Sequence, residues 1–165
     1  MSFYTDVLMK DPRFNSTNTI NDVSLLEPGT RAAVAAIIAD AKAMGHDLRV
    51  GETYRSQARQ HQVFMAGASH LSKVGCHGYG IAADLQLFEG GQYVKDGGKY
   101  NFLLALCKKH GMVSGIDWGH TGKHNSQPDA GHVQRVPIWR QPALFSRSWY
   151  PPTTYDPWQD VQGHG

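Results

Sequence analysis

Two short segments, far apart in the chain, must fold side by side for the chemistry they carry to exist. The first is Cys76-His77-Gly78-Tyr79-Gly80-Ile81-Ala82-Ala83-Asp84, and the second is Asp129-Ala130-Gly131-His132-Val133-Gln134. His77, Asp84 and His132 form a set of two histidines and one carboxylate. Three such protein ligands can hold zinc and leave a fourth position open for water. Asp129 stands three residues ahead of His132 and is a candidate general base for that water. The pattern points to hydrolysis rather than to metal storage.

Local pattern places these segments on a sheet. His77 and Asp84 are seven residues apart, which fits neither one helix face nor one strand face. A turn through Gly78-Tyr79-Gly80 can fold His77 back beside Asp84, because glycine tolerates tight backbone turns. Ala82 to Phe88 reads as a strand, with Glu89-Gly90-Gly91 as the turn into Gln92 to Val94. Asp84 then sits among Ile81, Ala82, Ala83, Leu85 and Leu87, where a carboxylate is costly unless paired or metal-bound.

Elsewhere, spacing predicts a helix over 28–45. Pro28 opens it, Val34, Ile37, Ile38, Ala41 and Met44 recur along one face, and Gly45 ends it. Leu48 to Thr53 alternates as a strand. Ser56 caps a helix running to Ala66, Tyr100 to His110 is an amphipathic helix, and Met112–Ile116 and His132–Val136 are short strands. Residues 1–26 are polar and irregular, with Val7, Leu8 and Met9 able to dock on the body. Residues 68–80 and 117–130 read as loops. The stretch from Ser148 to Trp158, rich in proline and aromatics, is expected not to form a regular helix. The mixed order of helices and hairpin-like strands indicates an α+β fold with a small antiparallel sheet. A single domain is expected over 1–145, its catalytic core at about 28–136, with a Pro/aromatic-rich tail at 146–165.

Composition narrows the function. A formal charge of +2 with no Lys/Arg run argues against a nucleic-acid partner. No apolar run approaches the roughly 18 residues of a membrane span, and mean hydropathy is −0.43, so stable membrane insertion is not expected. The N-terminus shows no secretory signal pattern. Synthesis in a cytoplasm is the expectation, with carriage or release by other means if the chain acts outside, and with the chain acting as a monomer. The two cysteines, Cys76 and Cys107, make no disulfide framework and read as reduced thiols.

The motifs resemble those of the zinc D-alanyl-D-alanine peptidases, a family that includes VanY-like vancomycin-resistance enzymes and phage L-alanyl-D-glutamate endolysins. Its pattern S-x-H-x-x-G-x-A-x-D falls on Gly75 to Asp84, and D/E-x-x-H falls on Asp129 to His132. An aromatic-Arg-Ser/Thr element, with a glutamine five residues after the arginine, falls on Tyr54-Arg55-Ser56 and Gln60. Asp117-Trp118-Gly119 is similar to a tryptophan loop lining the family's cleft. One departure is Gly75, where the family carries a serine. The resemblance covers roughly residues 28–136.

The resemblance implies a Hedgehog/DD-peptidase-like fold with a zinc site at the sheet. It implies that His77, Asp84 and His132 bind Zn²⁺ and that Asp129 is the catalytic carboxylate. It also implies that Arg55 stabilises the oxyanion and binds substrate together with Gln60, Tyr79 and Trp118. The guanidinium of Arg55 is expected to point over the zinc and to serve the substrate rather than the fold. The substrate implied is the peptidoglycan stem peptide. Asp rather than Glu at 129 and the compact layout favour an L-alanyl-D-glutamate endopeptidase, a bacteriolytic endolysin of phage type. A D-alanyl-D-alanine carboxypeptidase or dipeptidase is the alternative, and a non-catalytic wall-binding module of a phage tail or secretion device is a second. A cysteine peptidase built on Cys76, with His132 or His77 as its base, is a further rival, but it leaves Asp84 and Asp129 without roles. His120 and His124 read as loop histidines that could substitute as ligands.

Overall fold

The computed structural model describes residues 2–67, 75–118 and 129–164. Its centre is an antiparallel sheet of β1 (Asp47–Glu52), β2 (Ala82–Glu89), β3 (Gln92–Tyr93), β4 (Val113–Ser114) and β5 (His132–Gln134). Strand β2 is the spine. Along one edge it pairs with β1, from Asp47↔Phe88 to Glu52↔Asp84. Along the other it pairs with β5 near its start and with β3 near its end. Strand β4 extends the sheet beyond β5.

The two-residue period of a strand sorts β2 between two faces. Ala83, Leu85 and Leu87 enter the main core with Leu48 of β1 and Val133 of β5. Asp84 therefore lies on the opposite face, and its cross-strand partner His132 lies there with it. Glu52 reaches that face by a different route. Val50 pairs with Leu85 and Glu52 pairs with Asp84, so two steps along β1 match one along β2. This bulge at Gly51 turns Glu52 away from the core side that plain alternation would give it.

Two helices, at Pro28–Ala43 and Leu103–Lys109, cover the core face, and a third, at Gln57–Met65, turns its buried Gln60 to Arg55. Helix α2 (Pro28–Ala43; a short helix α1, Phe3–Asp6, precedes it) buries Ala33, Val34, Ile37 and Ala41. Pro28 occupies its first turn, where a missing N–H costs nothing. Glu27 caps it by accepting from Gly29 N and Thr30 N. Helix α3 (Gln57–Met65) starts at Ser56, whose hydroxyl accepts from Arg59 N as an N-cap should. Helix α4 (Leu103–Lys109) adds Leu103, Leu106 and Cys107. It begins later than the pattern predicts, because Tyr100 belongs to a separate turn, Gly97–Tyr100. The Tyr100 hydroxyl donates to Val94 O at 2.6 Å and accepts from Leu87 N at 3.0 Å.

The chain ends are more ordered than the sequence indicates. Helical turns at Phe3–Asp6, Leu8–Lys10 and Val23–Leu25 bury Leu8, Ile20 and Leu25 around Tyr54. Leu8 docks, whereas Val7 and Met9 stay exposed. After β5, helix α5 (Gln141–Phe145) packs Leu144 with Val136, Ile81 and Tyr79. Residues 148–156 are non-helical as expected, but Pro157 and Trp158 open helix α6 (Pro157–His164). A proline is compatible with the first turn of a helix, where its missing N–H would have no intrahelical partner, so Pro157 does not bar a helix from starting there. The indole of Trp158 donates to Met112 O at 2.8 Å, tying the tail to the body. No described helix is long and apolar enough to cross a membrane.

Candidate metal centre

Three elements deliver the cluster. His77 rides on the helical turn Cys76–Tyr79, closed by Gly80 at φ 72°, a left-handed conformation that suits glycine. Asp84 and His132 face each other across β2 and β5. His77 Nε2 lies 3.2 Å from Asp84 Oδ1, and His132 Nδ1 lies 3.1 Å from the same oxygen. One ligand atom from each residue falls within 4.8 Å of the others.

Counting donors and acceptors shows what this cluster lacks. His77 Nδ1 is 2.7 Å from Thr53 O. A carbonyl oxygen only accepts, so Nδ1 carries the proton and a neutral ring presents Nε2 as a lone pair. His132 Nε2 is 2.8 Å from Gln134 Oε1, which leaves Nδ1 as its lone pair. Two lone pairs and a carboxylate oxygen thus converge with no donor among them. Protons can satisfy them, or one cation can. Two imidazole nitrogens and one carboxylate oxygen suit zinc, and the histidines' outer hydrogen bonds are of the kind that orients metal ligands.

The electrostatics record the same tension. Burial disfavours ionisation of Asp84, but the charges and hydrogen bonds of His77 and His132 outweigh it. Its carboxyl is held well below the usual carboxylate range. Burial likewise opposes charge on His132, yet the hydrogen bond and charge of Asp84, with Asp129 and Gln134 assisting, raise it above the ordinary histidine value.

Arg55 is placed beside the cluster but is bound by the protein. Its Nη2 donates to Glu52 Oε1 at 2.7 Å and to Asp84 Oδ2 at 3.2 Å, and its Nη1 donates to Gln60 Oε1 at 3.2 Å. Glu52 also accepts from Arg59 Nε at 3.1 Å. Arg55 is 8% exposed, and its Nε has no partner among the described residues. Arg55 is thus held by three protein groups, one of them the buried carboxylate that the bulge in β1 turns toward it. Gln60 is buried and holds Arg55. Tyr79 is a core residue: its ring stacks on Phe145 at 5.8 Å, and its hydroxyl donates to Phe145 O at 3.2 Å.

Asp129 is exposed. Its N–H donates to Gly115 O at 2.9 Å, and its carbonyl accepts from His132 N at 3.1 Å. A side chain at Gly115 would collide with Asp129 O, so that close approach requires glycine. The ring of Trp118 lies 5.1 Å from that of His132. Cys76 is buried, and burial pushes its thiol up to about 12. A thiol so far from ionisation is a poor nucleophile, which removes the support for a cysteine peptidase. His120, His124 and Gly119 lie outside the described residues.

Three members of this site carry no motif that singled them out: Glu52, Thr53 and Gln134. Glu52 is turned inward by a bulge, and Thr53 contributes only a backbone carbonyl. Gln134 had a usable signal, because the spacing His132-x-Gln134 puts both residues on one strand face.

No family model matches the sequence, and no curated protein does. Solved structures do resemble the fold. The VanY D,D-pentapeptidase of a VanB-type resistance cassette, an E175A mutant in complex with Zn(II), has a TM-score of 0.51 at 14% identity, covering 74% of this chain and 79% of that one. VanYB in complex with D-alanine-D-alanine has a TM-score of 0.50 at 15% identity, over 74% and 78%. The LdcB LD-carboxypeptidase has a TM-score of 0.50 at 16% identity, over 74% of this chain and 64% of LdcB. The chain has the DD-peptidase-like fold. The small antiparallel sheet with helices packed on it, and the His/Asp/His cluster beside the sheet, are as the motifs implied.

Proposed function

We propose that this chain is a zinc-dependent peptidase acting on the peptidoglycan stem peptide. The observation that carries the reading is the convergence of His77 Nε2, His132 Nδ1 and Asp84 Oδ1, three acceptors with no donor among them. Further support comes from the folds it resembles, those of a VanY in complex with Zn(II), a VanYB in complex with D-alanine-D-alanine, and an LD-carboxypeptidase that recognises peptidoglycan.

Zinc in this position would supply a Lewis acid and bring the pKa of a bound water toward neutrality. The protein's own groups do the rest. Asp129, exposed next to His132, accepts a proton from the attacking water and returns it to the leaving amine. Arg55 fixes the far oxygen of Asp84, so the near oxygen stays aimed between the two histidines. Glu52 and Gln60 hold Arg55 there. Trp118 forms a wall beside His132 for a substrate to lie against.

The bond we assign is that between L-alanine and D-glutamate, on the ground that an aspartate rather than a glutamate stands at 129. Mass spectrometry of muropeptides after digestion of purified peptidoglycan tests the assignment. Stems cut after L-alanine are the expected product. Stems shortened by a terminal D-alanine would make the protein a carboxypeptidase, and intact stems retained by the protein would make it a wall-binding module.

A further inference from the structure

We infer that Gln134 is a positioning residue that decides which nitrogen of His132 meets the metal. This rests on the zinc reading above. Strand alternation puts His132 and Gln134 on one face of β5 and sends Val133 into the core. Gln134 is 2% exposed. Its backbone sits in the interior of the sheet, opposite Ala82 on one side and Val113 on the other. The side chain therefore starts from a fixed base.

Its amide is also fixed end for end. A glutamine amide can be reversed with little change in shape, so its orientation is settled by hydrogen bonding. Gln134 Nε2 lies 2.7 Å from Val136 O. That carbonyl accepts only, so the amide nitrogen belongs there and the amide oxygen faces His132. At 2.8 Å from His132 Nε2, this oxygen can only accept. The neutral ring must keep its proton on Nε2 and offer Nδ1 toward Asp84 and His77.

The alternative shows why such a residue is needed. With no acceptor at position 134, the Asp84 carboxylate at 3.1 Å would draw the ring proton to Nδ1. The resulting Nδ1–H···Oδ1 bond would seal the site in the metal-free protein, and a metal would have to break it before binding. Gln134 holds the proton on the far side and keeps the cluster open.

The test has two arms. In metal-free wild-type protein labelled with ¹⁵N-histidine, long-range ¹H–¹⁵N spectra at alkaline pH report where the neutral His132 ring holds its proton. Nε2–H is expected, and Nδ1–H would overturn the inference. This arm needs neither metal nor a variant. In the second arm, zinc affinity is measured by competition with a chromophoric chelator. Gln134→Met keeps the volume and removes the acceptor, so affinity should fall by roughly 10–100-fold, the usual cost of losing an outer partner of a metal-ligating histidine. Gln134→Glu keeps an acceptor on Nε2 and should bind zinc no more weakly than wild type. A packing role predicts instead that Glu and Met are equally damaging, since both lose the bond to Val136 O. Equal losses, or wild-type affinity in the Met variant, would overturn the inference. Failure of wild-type protein to bind zinc would overturn the metal reading itself, and the first arm tells the two failures apart.

Discussion

Two buried charged clusters hang on neighbouring residues of the same chain segment, and they differ in one respect. The first is built on Arg135. Its Nη1 donates to Glu27 Oε1 at 2.8 Å, and its Nη2 donates to the carbonyls of Pro152, Thr153 and Tyr155. Glu27 also accepts from Gly29 N, Thr30 N and the Thr30 hydroxyl. Each oxygen there faces a donor, and Arg135 Nε is the one buried polar atom of the cluster without a partner among the described residues. The cluster joins the start of α2, the end of β5 and the tail. The second cluster is built on His132, three residues earlier. It is held from outside by Thr53, Gln134, Arg55 and Glu52, but at its centre three acceptors face one another. Burying polar groups is costly unless they are satisfied. The oxygens of the first cluster are satisfied within the fold, while the centre of the second needs a proton or a cation, the latter being the zinc reading proposed above.

Variants can break that contrast. The largest expected effect is on catalysis. Asp129→Ala should lower the rate by about 10²–10⁴, the usual contribution of a general base, with zinc content and melting temperature unchanged because the side chain is exposed. Near-normal turnover in the zinc-loaded variant would assign the base elsewhere. Next is Arg135→Met, which leaves Glu27 buried without its cation. Breaking one side of a buried pair typically destabilises by about 3–5 kcal/mol. Denaturant unfolding should show that loss, while zinc stoichiometry of the folded protein stays at the wild-type level. A loss of zinc with stability intact would reverse the roles given to the two clusters.

Arg55→Lys sharpens the boundary between the clusters. Lysine keeps the charge but cannot fork to Glu52, Gln60 and Asp84 together. We expect kcat/KM to fall about tenfold, equivalent to about 1.4 kcal/mol, together with a modest drop in melting temperature. Full activity with a large loss of stability would place Arg55 with the structural cluster.

The smallest effect is a difference in sign with pH. The raised value of His132 stabilises the metal-free protein fully below the ordinary histidine value of about 6.5, and that contribution is lost as pH rises through the folded value. Asp84, held low, contributes above the ordinary carboxylate value and loses that only in acid, so it is constant in this window. Acidification from alkaline pH toward neutrality should therefore raise the melting temperature of the metal-free protein. In the zinc-loaded protein protons compete for Nδ1 of His132, and the same change should lower it. Parallel slopes would contradict the assignment of Nδ1 as a ligand atom.

Much of this was legible in the sequence, for local reasons. Pro28 and the apolar spacing of Val34, Ile37 and Ala41 mark α2, and the alternation of Ala83, Leu85 and Leu87 marks β2. Ser56 caps α3 as its residue type suggests. The side chains of His77, Asp84 and His132 meet because Gly80 and the cross-strand register bring them together. What could not be read depends on distant geometry. Glu52 reaches the site through a bulge that alternation cannot reveal. Arg135 and Glu27 are 108 residues apart and share no motif. Tyr79 follows the first histidine closely in sequence, but the turn carries its ring into the core instead.

Zinc occupancy is expected to depend on all three converging acceptors. Elemental analysis of the purified wild-type protein and of His132→Ala, each after zinc loading and desalting, measures this directly. One zinc per chain in the wild type and little in the variant is the predicted result. Stoichiometric zinc in His132→Ala, or none in the wild type, would contradict it.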